Sequence, residues 1–129
     1  MSHILLIDDD SITNFLNKKI IMKTGLAQSI QAFESGQEAL AHLHAICNNE
    51  TEAPFPDLIL LDIMMPVMDG FEVLDELLKL PPKPLATLKV IMLSSSLDNR
   101  DRERAMENEL VQHFLSKPLT YTSIKEVLS

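Results

Sequence analysis

Short apolar runs alternate with amphipathic segments from one end of the chain to the other. Five runs have the character of β-strands, because each is rich in Ile, Leu, Val or Phe and stops at polar residues. The predicted strands span residues 3–7, 30–33, 58–61, 89–93 and 113–116. The run at 30–33 is weaker and more polar than the others, which predicts an edge strand.

The segments between these runs have helical spacing. One apolar stripe of the first segment predicts the face turned toward the core: Ile12, Phe15, Leu16 and Ile20. Gly25 is the predicted C-terminal cap of this helix. Ser35-Gly36-Gln37-Glu38 predicts a capping box for the second helix, whose apolar positions continue through Leu40 and Leu43 to Cys47.

Three further helices are predicted, over residues 70–78, 98–109 and 120–128. The inward positions of the first of these are Phe71, Leu74 and Leu78, and the prolines after Leu80 end it. The helix at 98–109 is highly charged and offers little for the core beyond Ala105, so we expect it to be the most mobile helix.

Five strands that alternate with helices predict an α/β fold, in which a doubly wound parallel sheet carries helices on both faces. A chain of 129 residues fits one domain, so residues 1–129 are expected to form a single unit. In such folds ligands bind beyond the carboxyl ends of the strands, where the strand order reverses.

The balance of acidic and basic residues narrows the range of binding partners that the protein could have. Acidic residues outnumber basic ones by 19 to 11, for a net charge of −8, which opposes binding to nucleic acid or to an anionic membrane surface. Cys47 is the only cysteine, which rules out an internal disulfide. No apolar run is long enough to cross a bilayer, and we expect a cytoplasmic protein. Neither glycine-rich nucleotide fingerprint is present.

Reactive side chains follow the predicted strands. The first strand ends in Asp8-Asp9-Asp10, the third in Asp62 and the fourth in Ser94, while Lys117 follows the fifth. So many acids at one rim repel each other unless a cation joins them, and carboxylate oxygens with room for water suit Mg²⁺. Taken singly, each residue has a simpler interpretation, such as Asp10 or Ser11 capping the first helix.

The order of four motifs resembles that of bacterial response-regulator receiver domains over essentially the whole chain. The motifs are ILLIDDD, LILLDIMMPVMDG, VIMLSSS and FLSKP. The resemblance implies a flavodoxin-like sheet with strand order 2-1-3-4-5 and a role as a phosphorylation-dependent switch in two-component signalling, similar to single-domain chemotaxis regulators.

The resemblance also implies roles for individual residues. Asp62 matches the phosphoacceptor, with Ser94 and Lys117 as its catalytic partners. Phe114 matches the switch aromatic, which fills the space that Ser94 vacates when its hydroxyl moves inward. Lys117-Pro118 matches a peptide bond that is typically cis. The implied Mg²⁺ site comprises three carboxylates and one backbone carbonyl: Asp8, Asp9, Asp62 and Met64.

The implied phosphodonor is a sensor histidine kinase or a histidine phosphotransfer protein. Phosphorylation would change the surface of the fourth helix, fifth strand and fifth helix, which an unknown downstream protein would read. The same surface would form the interface of a phosphorylation-linked homodimer. The alternative is that the charged fourth helix only faces solvent and contacts no partner. No nucleic acid or membrane partner is expected, and the domain would act only on its own phosphorylation and dephosphorylation rather than as an enzyme.

Two features depart from the family pattern. Met64 and Ser96 occupy the positions that flank the attacking water in related domains, and the apolar Met64 predicts slow autodephosphorylation. The last helix is short, which points to a weakened output surface or to a trimmed chain.

Two rival interpretations remain. A phosphatase of the haloacid-dehalogenase class fits Asp8-Asp9-Asp10-Ser11-Ile12, but it needs a further acidic pair after the lysine, where Glu126 is the only acid. A receiver-like module without chemistry would have lost the acidic pair, the acceptor or the lysine, and the chain keeps all three.

Overall fold

One parallel sheet forms the centre of the protein in a computed structural model, which describes residues 2–96 and 98–129. Within these residues the strand order is β2-β1-β3-β4-β5. The strands are β1 Ser2–Ile7, β2 Ala27–Phe33, β3 Leu58–Asp62, β4 Lys89–Ser94 and β5 Val111–Ser116. All neighbouring pairs are parallel. The predicted fold class, the strand order and the edge position of β2 are confirmed.

Helices connect the strands and cover both faces of the sheet. They are α1 Ser11–Lys23, α2 Gly36–Cys47, α3 Gly70–Leu77, α4 Pro82–Leu85, α5 Asn99–Met106 and α6 Tyr121–Leu128. The short helix α4 is not predicted by the sequence pattern, so the fourth and fifth predicted helices are α5 and α6. No helix of the described residues has the length and apolarity that a membrane crossing requires.

Two apolar cores explain why the strands are continuous hydrophobic runs. Leu5 and Ile7 of β1 point into the core shared with α2, α3 and α5. Ile4 and Leu6 point into the core on the opposite face, shared with α1 and α6. Because both faces of each central strand are covered, the middle of the strand is apolar and polar side chains are confined to its ends, such as Asp62 and Ser94.

The predicted orientation of α1 is wrong. Ile12, Phe15 and Leu16 are each more than half exposed, whereas the buried residues of the helix are Asn14, Asn17 and Ile21. Polar Asn14 is turned inward because its amide donates hydrogen bonds to main-chain carbonyls at the ends of β1 and β2. Ile12, Phe15 and Leu16 are therefore left on the surface, whereas Ile20, the fourth residue of the predicted stripe, is partly buried against the core.

Smaller differences concern the two helices that follow β3 and β4. Leu78 caps α3 and is half-exposed, while Leu77 takes the buried position expected for Leu78. Ala105 is the one buried residue of α5, as expected. The Arg104 guanidinium lies 4.1 Å from the centre of the Phe71 ring and adds a contact between α5 and α3. The mobility of α5 remains a prediction.

Candidate functional site

The carboxyl ends of β1 and β3 lie side by side. Ile7 pairs with Leu61 in parallel register, so Asp8, which follows β1, and Asp62, which ends β3, emerge at the same edge. The chain leaves β1 toward β2 on one side and returns to β3 on the other. This is the reversal of strand order at which α/β sheets form a binding crevice.

Three carboxylates meet in this crevice. Asp8, Asp9 and Asp62 each offer one oxygen, and these oxygens lie within 4.8 Å of one another. Asp8 and Asp62 are buried, while Asp9 is exposed to solvent. The structure thus brings together the three acidic side chains that the sequence identifies. Asp10, the next acid, instead caps α1 by accepting a hydrogen bond from the Ile12 N–H.

Lys117 reaches the same crevice from the end of β5. Its Nζ donates to Asp8 Oδ2 at 2.8 Å and lies 3.1 Å from Asp62 Oδ1. Its backbone N–H donates to the Ser94 carbonyl at 2.8 Å, which ties the loop to the end of β4. The peptide bond to Pro118 is cis, as the family resemblance implies.

The electrostatics of the crevice are unbalanced. Burial, and after it the Asp8 carboxylate, raise the pKa of Asp62 from 3.8 to about 6, against the opposing effect of Lys117. Burial alone would lower the pKa of Lys117, but its hydrogen bonds to Asp8 and Asp62 outweigh burial and raise the pKa above its usual value of 10.5. One ammonium group therefore faces three carboxyl groups.

This imbalance fits a divalent cation. Oxygen ligands and an open, partly solvated edge are what Mg²⁺ accepts, since it binds through one or two carboxylates and keeps several waters. The donor set contains no sulfur or imidazole that would favour a softer metal. Asp8, Asp9 and Asp62 thus have the chemistry of a magnesium site.

Ser94 and Phe114 lie on the neighbouring strands β4 and β5. Ser94 is buried, and its hydroxyl accepts a hydrogen bond from the Ser96 N–H at 3.0 Å. Phe114 is half-buried and borders a hollow of about 280 Å³ together with Asp98 and Arg102. Phe114 pairs with Met92, and Ser94 pairs with Ser116. Ser94 and Phe114 therefore lie two positions apart in the register of neighbouring strands.

The loop after Asp62 contains two features that the sequence pattern does not reveal. Val67 adopts φ +67°, a left-handed conformation in which a β-branched residue is strained. Gly70 leaves no room for a side chain, because a Cβ there would lie 2.7 Å from the Asp62 carbonyl oxygen and 2.9 Å from Ile63 Cα. The glycine lets the start of α3 press against the strand end that carries Asp62. Met64, in the same loop, is 69% exposed.

Comparison with known proteins identifies the family. The family model described as response regulator receiver domain matches residues 4–129. The chain is 30% identical over 127 residues to the two-component response regulator ARR22 of Arabidopsis thaliana, covering 98% of this chain and 81% of the relative. A crystal structure of a two component response regulator from Cytophaga hutchinsonii aligns with a TM-score of 0.86 and 36% identity, covering 97% of this chain and 92% of that one. A response regulator receiver protein from Dyadobacter fermentans aligns with a TM-score of 0.82 and 32% identity, covering 98% and 94%. The chain therefore belongs to the response regulator receiver domains of two-component signalling, in which phosphotransfer to an aspartate is typical.

Proposed function

We propose that Asp62 is the phosphoacceptor of a signalling switch and receives its phosphoryl group from phosphohistidine on a sensor histidine kinase or a histidine phosphotransfer protein. One observation carries this proposal. The Asp62 carboxylate ends a buried central strand 3.1 Å from the Lys117 ammonium, with oxygens of Asp8 and Asp9 within 4.8 Å. A nucleophile, a cation for the phosphoryl oxygens and a metal-binding pair are thus gathered at one point. The switch is expected to operate in the cytoplasm and to turn over no other substrate.

The transfer requires few groups. A carboxylate oxygen of Asp62 would form the bond to phosphorus while the P–N bond of phosphohistidine breaks, and the electron pair of that bond would stay on the imidazole nitrogen. With a pKa of about 6, Asp62 is mostly ionised at neutral pH and can act as a nucleophile. Lys117 would exchange its contact with the carboxylate for a phosphoryl oxygen, which neutralises charge in the transition state.

The metal site would comprise Asp8, Asp9, Asp62 and the backbone carbonyl of Met64. When bound there, Mg²⁺ would neutralise charge on the phosphoryl oxygens. Asp8 would stay oriented through its hydrogen bonds to Lys117 and to the Asp10 N–H. Exposed Asp9 would meet the ion from the solvent side.

The signal would leave the site through Ser94 and Phe114. The Ser94 hydroxyl accepts one hydrogen bond and has a proton available for a phosphoryl oxygen. Its movement toward Asp62 would open space that Phe114 can enter, which would alter the surface of α5, β5 and α6. A downstream protein, or a second copy of the chain, would recognise that surface.

The phosphodonor would dock beside the crevice on the exposed apolar side of α1. Ile12, Phe15 and Leu16 project there, and a groove of about 470 Å³ runs from Leu16 to Lys117. Apolar side chains at a site mouth exclude water from a protein contact. Phe15→Ser should therefore slow transfer from the partner kinase and leave labelling by a small-molecule phosphodonor unchanged.

Intact mass spectrometry tests the proposed acceptor. The protein is incubated with acetyl phosphate and Mg²⁺, beside an Asp62→Ala control and a sample without Mg²⁺. The proposal is supported if the mass rises by one phosphoryl group in the complete reaction and in neither of the two controls. Absence of labelling, combined with failure to bind beryllofluoride, would instead favour a binding module without chemistry.

A further inference from the structure

Asn14 joins the ends of two strands from within α1. It is 5% exposed, and its Nδ2 donates to the Asp8 carbonyl at 2.9 Å and to the Phe33 carbonyl at 3.2 Å. Both protons of the amide are thereby used. Asp8 is the residue after β1 and Phe33 is the last residue of β2. The buried side chain of Asn14 thus bridges the carboxyl ends of β1 and β2, next to the crevice.

Every polar atom of Asp8 is held by a different partner. Its N–H donates to the Phe33 carbonyl at 3.1 Å, and its own carbonyl accepts from Asn14. Its Oδ1 accepts from the Asp10 N–H at 2.9 Å, and its Oδ2 accepts from Lys117 Nζ at 2.8 Å. Asn14 is the side chain in this set that fixes the Asp8 peptide plane. The orientation of that plane determines where the carboxylates of Asp8 and Asp9 project.

The geometry of Asn14 also argues against a role in packing alone. Its Oδ1 is buried and has no hydrogen-bond partner among the described residues. An unpaired buried acceptor disfavours the folded state, and a leucine of similar volume would avoid it. What leucine cannot supply is the pair of N–H donors to the strand ends.

The geometry points to Asn14 as a positioning residue for the acidic pair: by fixing the Asp8 peptide it holds Asp8 and Asp9 in place for Mg²⁺. This inference rests on the proposed function of the site. Partners outside the ligand shell commonly change metal affinity when they are removed, because they orient the ligands. Asn14 would act through Asp8 and would contact neither the ion nor the phosphoryl group.

The chain provides a matched control in Asn17. It lies one turn further along α1 and is 6% exposed, yet no side-chain hydrogen bond of Asn17 is present among the described residues. Asn14→Leu and Asn17→Leu therefore make the same chemical change at the same depth in the same helix. Only the first removes donors from the strand ends.

Titration calorimetry with Mg²⁺, at a temperature where circular dichroism shows every variant folded, measures the effect. We expect Asn14→Leu to raise the Mg²⁺ dissociation constant by about tenfold and Asn17→Leu to leave it unchanged. Asn14→Ala provides a second, smaller variant if the leucine variant does not fold, and the same loss of affinity is expected. A role in stability alone would lower the melting temperature without changing the dissociation constant of the folded protein.

The outcomes separate the two proposals. If the wild-type protein binds Mg²⁺ and Asn14→Leu binds it equally well, the positioning role is wrong while the proposed acceptor site stands. If both leucine variants weaken binding alike, the effect is general to α1 and the inference also fails. If the wild-type protein does not bind Mg²⁺, the metal site proposed for Asp62 fails together with the inference.

Discussion

Replacing Asp62 by Asn is expected to stabilise the metal-free protein at neutral pH. Burial, and after it the Asp8 carboxylate, raise the pKa of Asp62 from 3.8 to about 6 in the folded chain. At about 1.4 kcal/mol per pKa unit, the ionised side chain lowers the free energy of unfolding by about 3 kcal/mol. The amide of the variant has nearly the same shape, carries no charge and keeps an oxygen that accepts from Lys117.

The pH dependence follows from the direction of the shift. The folded state holds the Asp62 proton more tightly than the unfolded state, so stability from this group is lost as the pH rises from 3.8 to about 6. Below that range both proteins carry an uncharged side chain at this position and should be equally stable. Above it the full difference should appear.

Urea unfolding followed by circular dichroism measures the difference, because the chain has no tryptophan to serve as a fluorescent probe. EDTA keeps metal from the site. At neutral pH the free energy of unfolding of the variant should exceed that of the wild type by about 3 kcal/mol. Asp75→Asn, at an exposed carboxylate on α3, controls for the change in net charge. A wild-type protein as stable as the Asp62 variant at neutral pH, or a difference that does not vary with pH, would refute the reasoning.

Three further predictions concern the segment that joins Asp62 to the start of α3. Met64→Asn should speed loss of the phosphoryl group about fivefold, since an amide that orders the attacking water need lower the barrier by only about 1 kcal/mol; decay is followed by intact mass after removal of the phosphodonor. Val67→Gly should raise the free energy of unfolding by about 1 kcal/mol, because Val67 adopts φ +67° and is 85% exposed, so that little packing is lost; urea unfolding measures this gain. Gly70→Ala should destabilise the protein by about 2 kcal/mol, because its Cβ would meet the backbone at 2.7 Å; the same assay applies, together with labelling by acetyl phosphate.

Each of these predictions has an outcome that contradicts it. Decay that is unchanged or slower in Met64→Asn would mean that the side chain at this position does not limit access of water. Val67→Ala keeps a Cβ in the left-handed conformation and should not match the gain of the glycine variant; equal gains would remove strain as the cause. Unchanged stability in Gly70→Ala would show that the loop can move away from the strand end.

The sheet and the crevice were predictable from sequence for the same reason. Buried strands of a parallel sheet must be apolar on both faces, so their limits are visible as abrupt changes to polar residues. Asp8, Asp62 and Ser94 stand at those changes, and parallel pairing brings the carboxyl ends together. Lys117 follows β5, an edge strand that is only partly buried, and its parallel pairing with β4 brings Lys117 to the same edge of the sheet.

The orientation of α1 was not predictable in this way. Hydrophobic periodicity identifies a helix, but it assigns the apolar stripe to the core by assumption. Here Asn14 is held inward by two main-chain carbonyls, and apolar Phe15 is left in solvent. The conformation of Val67 escapes prediction because valine normally avoids positive φ. The orientation of α1 depends on a contact of Asn14 with Phe33, a residue of another segment 19 positions away in the chain.

The contact between Asp8 and Lys117 joins residues separated by 109 positions. During synthesis, the acidic end of β1 is made early. Its ammonium partner, Lys117, is in place only after β5 has been made and has paired with β4. Loop-closure entropy delays such a pairing further. A nascent or partly folded chain therefore has the acids without the lysine, and competence for phosphorylation should arise only when the last strand has docked. Labelling by acetyl phosphate would then report completion of folding as well as chemistry.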